Sequence, residues 1–355
     1  MTDNIFERLF ELLNQPGSVN WALAEEISSS LAGEPQPVDP WIADEYLELG
    51  SVALLQTDSI EILPGLSGET IDPVDRSVWT KDNLRSFDYL ADSLADGMGA
   101  SAGPLQPIVS AMVGMQVGTL VGTLAHHALG GFDVGLIAIA PRGYLIVPSI
   151  EAFTRSHEVD AKQVRLWAAL HEAMHLRISR HTWLGERYSE LLRSWMEGIE
   201  FDAQGLIGNL QGMADPSAMQ DAMEGLGDLP ALLGDSANQG DRDDAVAILA
   251  LLGGLRRHLM EDFRSWLPDL DRIRLGLERR DDEPDAHSAM TIALPDHAQV
   301  VQAAAFCAEV EERWGRETLG RVIATPGALP RAAELADPVG WAARVLLDDG
   351  AFDLD

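Results

Sequence analysis

Residues His171-Glu172-Ala173-Met174-His175 form an H-E-x-x-H sequence, and no other stretch constrains the fold as much. Two histidines four residues apart act together only on one face of a helix, about one turn from each other. The surroundings supply that helix. Residues 164–178 contain no Gly or Pro, apolar Leu166, Trp167, Leu170, Met174 and Ile178 recur at helical spacing, and Asp160 is a natural N-cap. In this geometry His171 and His175 can reach one Zn²⁺, and Glu172 can take a proton from a metal-bound water. His171 and His175 are therefore expected as metal ligands and Glu172 as the catalytic base. A catalytic zinc usually has three protein ligands and an open position, so a third ligand must come from elsewhere.

The rest of the chain predicts a mainly α (α+β) fold, a single domain over residues 1–355. A helical N-terminal part (1–130) leads to a hairpin and the metal helix (131–185), then a helical part (186–347) and an acidic tail (348–355). Helices are expected at 5–13, 21–31, 41–49, 79–94, 190–205 and 245–266, the last broken by Gly253-Gly254. The clear β signal is a pair of apolar runs, 135–140 and 144–147, around Pro141-Arg142-Gly143. It reads as a small β-hairpin beside the metal helix, either covering the core or holding an extended peptide by strand addition. Residues 105–124 carry no charge, and Gly114, Gly118 and Gly122 mimic a membrane packing motif. Gln106, Ser110, Gln116, Thr119 and Thr123 dilute that signal, which predicts a buried soluble helix close-packed through its glycines.

Charge and cysteine usage narrow the function. With 25 Lys and Arg against 57 Asp and Glu, the net charge is −32, which argues against nucleic acid and anionic membrane as partners. The single Cys307 fits a reducing compartment and lies in an apolar helical run, as a buried thiol would. The N-terminal residues show neither a basic region nor a continuous apolar one, so a cytoplasmic location is expected. Arg256-Arg257 and Arg279-Arg280 stand out as basic spots in an acidic chain, and nothing in the sequence ties them to a ligand.

Segments well beyond the motif carry a resemblance. They include Asn20-Trp21-Ala22-Leu23-Ala24, Pro37-Val38-Asp39-Pro40, Met115-Gln116-Val117-Gly118 and Leu145-Ile146-Val147-Pro148. Arg165-Leu166-Trp167-Ala168-Ala169-Leu170 runs into the motif, and Leu329-Pro330, Asp337-Pro338 and Trp341-Ala342-Ala343-Arg344-Val345 lie near the end. On these the chain resembles the actinobacterial zincin-like metallopeptidase family. That group was first classed as a domain of unknown function, and some members are named as hydrolases associated with deazaflavin-coenzyme biosynthesis. The resemblance implies a predominantly helical domain, zinc on His171 and His175, and Glu172 as base; the peptide or protein substrate is expected from the chemistry of the motif itself.

It also implies a third ligand that this chain lacks. The family pattern on a downstream helix is Leu-Leu-Glu-Gly, with the glutamate as ligand, whereas this chain reads Leu251-Leu252-Gly253-Gly254. His181, ten residues after His171, is the leading replacement by metzincin spacing, although Ile178 stands where that arrangement turns on a glycine. A solvated His181 at the helix end is the alternative. Glu197 and Glu200 are further carboxylates, while His258 and Glu261 point about 140° and 80° away from position 253 on a helix. Two functions follow: a zinc peptidase using a Glu172-activated water, or a catalytically silent binding or scaffold protein without a complete metal site.

Overall fold

Small residues set the closest helix packing in the chain. The computed structural model describes residues 17–97, 106–131, 142–201, 233–281 and 294–348. Helix α1 (Trp21–Ala32) starts at Asn20, whose side chain accepts from the Leu23 amide. Then come α2 (Pro40–Thr57), β1 (Ile71–Val74), α3 (Arg76–Asn83), a 3₁₀ turn (Leu84–Phe87), α4 (Asp88–Gly97) and α5 (Gln106–His127). Helix α5 lies against α1 so closely that a Cβ on Gly118 would sit 2.6 Å from the Ala24 carbonyl oxygen, and one on Gly122 2.6 Å from Leu31 Cβ. The helix is long and apolar enough to cross a membrane, and its most apolar window is 78% buried within the protein. Its glycines serve backbone contact between helices, as the sequence predicts.

Strand β2 (Gly143–Ile146) follows, then α6 (Val147–His157) and the motif helix α7 (Ala161–Ile178). Asp160 caps α7 by accepting from the Gln163 amide at 3.1 Å, the role its sequence position predicts. Beyond it lie α8 (Trp183–Glu197), β3 (Ile199–Phe201), β4 (Leu233–Ser236), α9 (Gln239–Leu259), α10 (Leu270–Asp281), α11 (His297–Trp314), α12 (Arg316–Arg321) and α13 (Pro338–Asp348). Buried apolar residues from Val19 to Leu346 join in one hydrophobic cluster. The mainly α architecture with a small sheet is the class expected.

Three local expectations change. Residues 79–94 form two helices divided by a 3₁₀ turn, not one helix. The helix expected over 190–205 ends at Glu197, and β3 pairs antiparallel with β4. Gly253-Gly254 does not break α9. It opens a groove for α11 instead, since a Cβ on Gly254 would lie 2.5 Å from Ala303 C and Ala304 N.

The expected hairpin is seen only in its second arm. Its first arm, 135–140, lies outside the described residues, as do the 5–13 helix and the acidic tail. The second arm is β2, and it pairs parallel with β1, from Ile71 opposite Gly143 to Val74 opposite Ile146. All four β2 residues are buried, and the Ile146 amide is taken by the Leu129 carbonyl. Among the described residues, β2 is covered by β1 and by the segment before Gly131, which places it in the core.

Polar contacts fix α7 in this frame. Arg165 donates to Glu151 on α6 and to Glu45 on α2, each at 2.8 Å, and the buried Tyr46 hydroxyl also donates to Glu151. Arg177, 2% exposed, donates to the carbonyls of Ile60, Leu63 and Pro64 and so pins the segment after α2 to the end of α7.

Two predictions follow from this packing. Gly118→Val forces α5 away from α1 and should destabilise the protein by about 3 kcal/mol or abolish soluble expression, whereas the exposed Gly240→Val should not; urea unfolding measures both. Glu151 is the second case. Burial raises its pKa, but the Arg165 and Tyr46 hydrogen bonds outweigh this and leave it below its ordinary 4.5. A depressed folded-state pKa adds stability above the unfolded value and loses it as pH falls through the folded one. Glu151→Gln should therefore cost about 1–2 kcal/mol at pH 7, with the gap closing below about pH 4.5.

Candidate functional site

The motif residues occupy the polar face of an otherwise apolar helix, yet each faces a different neighbour. Glu172 is fully buried. Its Oε1 accepts from the Gly131 amide at 2.9 Å and the Tyr144 amide at 2.8 Å, tying α7 to β2 and to the end of the chain leaving α5. Gly130 and Gly131 make room for this carboxylate, because a Cβ on either would come within 2.5 or 2.6 Å of its oxygens. A carboxylate receiving two backbone N–H groups is a strong structural clamp.

His171, one turn before His175, is half-buried and stacks on the Trp167 indole at 4.7 Å between ring centroids. His175 is 1% exposed and turns towards α9, where Arg256 Nη1 lies 2.5 Å from its Nδ1. Arg256 is itself 3% exposed. A guanidinium only donates, so Nδ1 must accept, and the proton of the neutral ring sits on Nε2. Burial, then the charges of Arg256 and His171, push His175 well below the usual histidine range, which agrees with a neutral ring.

His181 is half-buried, and burial lowers its pKa. The chain reverses after Ile178 without a glycine. The Ser179, Arg180 and His181 amides bond to the carbonyls of His175, Arg177 and Ile178, and α8 starts at Trp183. His181 and His175 line a common cavity of about 240 Å³ with Ser179, Thr182, Ser189 and Leu252. Glu172 and His171 do not line it. His181 Nε2 is buried and has no hydrogen-bond partner among the described residues.

The other candidates are engaged elsewhere or lie apart. His258 contacts Glu311 on α11, and Glu261 pairs with Arg264 and Arg274. Glu197 ends α8, and Glu200 falls in β3. A Cβ on Gly253 would face Val300 of α11 at 3.2 Å. Arg256, which the sequence marks only as a basic spot, is an α9 side chain that reaches the motif.

A catalytic zinc needs three protein ligands that converge on one point. Among the described residues, no group of three or more His, Cys, Asp or Glu side chains could hold a metal ion. A neutral imidazole has one lone pair, and the Arg256 contact uses that of His175. If Nδ1 accepts from Arg256, Nε2 carries hydrogen and cannot ligate; if Nδ1 were the ligand, the guanidinium would stand in the metal's place. In this arrangement the residues do not fit a catalytic zinc.

An α-rich fold around a zinc-motif helix defines the class, and comparison gives the family. Residues 19–342 match the family described as zincin-like metallopeptidase, and the chain belongs to that family. At family level this carries the expectation of zinc-dependent hydrolysis. A provisionally assigned hydrolase with a novel fold from Chloroflexus aurantiacus has a similar crystal structure. Its TM-score is 0.61 at 22% identity over 92% of this chain and 98% of that one, which shows a shared fold. No curated protein matches the chain.

The Glu172 clamp is directly testable. Glu172→Gln keeps an acceptor and should stay folded, while Glu172→Leu leaves two buried amides unpaired and should cost about 2–5 kcal/mol in urea unfolding.

Proposed function

We propose that this chain is a catalytically silent member of its family, a zincin-fold binding protein without a working metal centre. The observation that carries this reading is the Arg256 guanidinium on Nδ1 of His175. The binding element is the cavity between α7, α8 and α9. At about 240 Å³ it is smaller than the roughly 300 Å³ at which small-molecule sites begin, so it suits one inserted side chain of a peptide or protein partner. The acidic surface favours a basic partner over an acidic one. Residence in a reducing compartment, and the link to deazaflavin-coenzyme biosynthesis that the resemblance implies, belong to this reading as proposals.

A second reading is supported by the shared cavity of His175 and His181. Here the chain is a zinc peptidase with His171, His175 and His181 as ligands and Glu172 as base. Metal analysis after purification in micromolar zinc separates the two. The silent reading expects well under one zinc per chain and no peptide hydrolysis that depends on Glu172. About one zinc per chain, lost in His171→Ala and His181→Ala and kept in an inactive Glu172→Gln, would establish the peptidase instead.

A further inference from the structure

We propose that Arg256 excludes metal from a latent two-histidine site, and that removing its guanidinium restores metal binding at His171 and His175. The inference rests on the silent reading and assigns its cause. Arg256 lies on α9, four residues after Leu252, which lines the cavity with His175. At about 100° per residue these two share a face, so Arg256 is aimed at α7 by the helix itself. It lies one turn from Gly253, where the resemblance implies a ligating glutamate. The helix therefore offers glycine at the expected ligand position and an arginine that reaches a motif histidine.

The exclusion has two parts. The first is the lone pair: a neutral His175 cannot accept from Arg256 at Nδ1 and ligate through Nε2. The second is charge. A guanidinium stays protonated in proteins, and a divalent cation on the same ring would face it with little water between them, since both side chains are nearly inaccessible. Metal binding thus requires Arg256 to leave.

The experiment titrates Zn²⁺ and Co²⁺ into the wild type, Arg256→Met and the double variant Arg256→Met/His175→Ala. Calorimetry and the Co²⁺ absorption spectrum read binding without any activity assay. Arg256→Met keeps an apolar chain of similar length and removes every donor. The expected result is metal binding at least about tenfold tighter in Arg256→Met than in wild type, with the gain abolished in the double variant. A folded Arg256→Met that gains no affinity overturns the inference. If the wild type also binds no metal, the silent reading survives that failure; if the wild type binds one zinc tightly, both fall. A measurement on the wild type covers the case where Arg256→Met does not fold. Long-range ¹H–¹⁵N NMR of histidine-labelled protein should place the His175 ring proton on Nε2, and a proton on Nδ1 overturns the inference.

Discussion

A neutral imidazole has one lone pair, and in this protein the use of the His175 lone pair decides what the motif helix can do. Arg256 takes it from a direction in which zincin chemistry has no use for a donor. A ligating histidine ordinarily donates its other ring N–H to a carboxylate or carbonyl, which raises the basicity of the coordinating nitrogen. Here the second nitrogen receives a proton donor, which fixes the opposite tautomer. The burial of both partners makes the contact hard to exchange for water.

The same helix shows how a catalytic sequence can become a set of structural joints. Glu172 secures β2 and the Gly130-Gly131 bend, Arg177 secures the segment after α2, and Arg165 secures α2 and α6. Each is a charged group on a helix that otherwise faces the core, and each charge is met by backbone amides, carbonyls or an opposite charge. This allocation keeps the polar face of α7 in register with five neighbouring segments. It also gives the motif helix structural work of its own, since replacing Glu172 or Arg177 would leave buried partners unpaired.

Much of the scaffold was legible in the sequence because it depends on local patterns. Apolar spacing and the Asp160 cap located α7, and the four-residue glycine spacing identified α5 as a helix packed through its backbone. The readings that failed depend on which distant segment comes alongside. β2 was visible as a strand, but its parallel partner is 71–74, a short run containing Pro73 that gives little β signal. Gly253-Gly254 resembled a helix break because the approach of α11 cannot be read from α9 alone. Arg256 stood out only as a basic spot, for a similar reason. Its helical offset from Leu252 was available as a signal, but it becomes informative only once α9 is placed against α7.

The chemistry of the site suggests why Gly253 and Arg256 occur together. A buried neutral histidine has an acceptor nitrogen in a region closed to water, which is costly if left unpaired. A donor from a neighbouring helix relieves it, and a side chain four residues after the cavity-lining Leu252 has the right direction and, as arginine, the right length. A side chain at position 253 would press on Val300 of α11, and glycine there lets α9 and α11 close together. Arg256 pairs with the buried imidazole and Gly253 lets α11 approach, so both residues act in the packing of α9 against its neighbours.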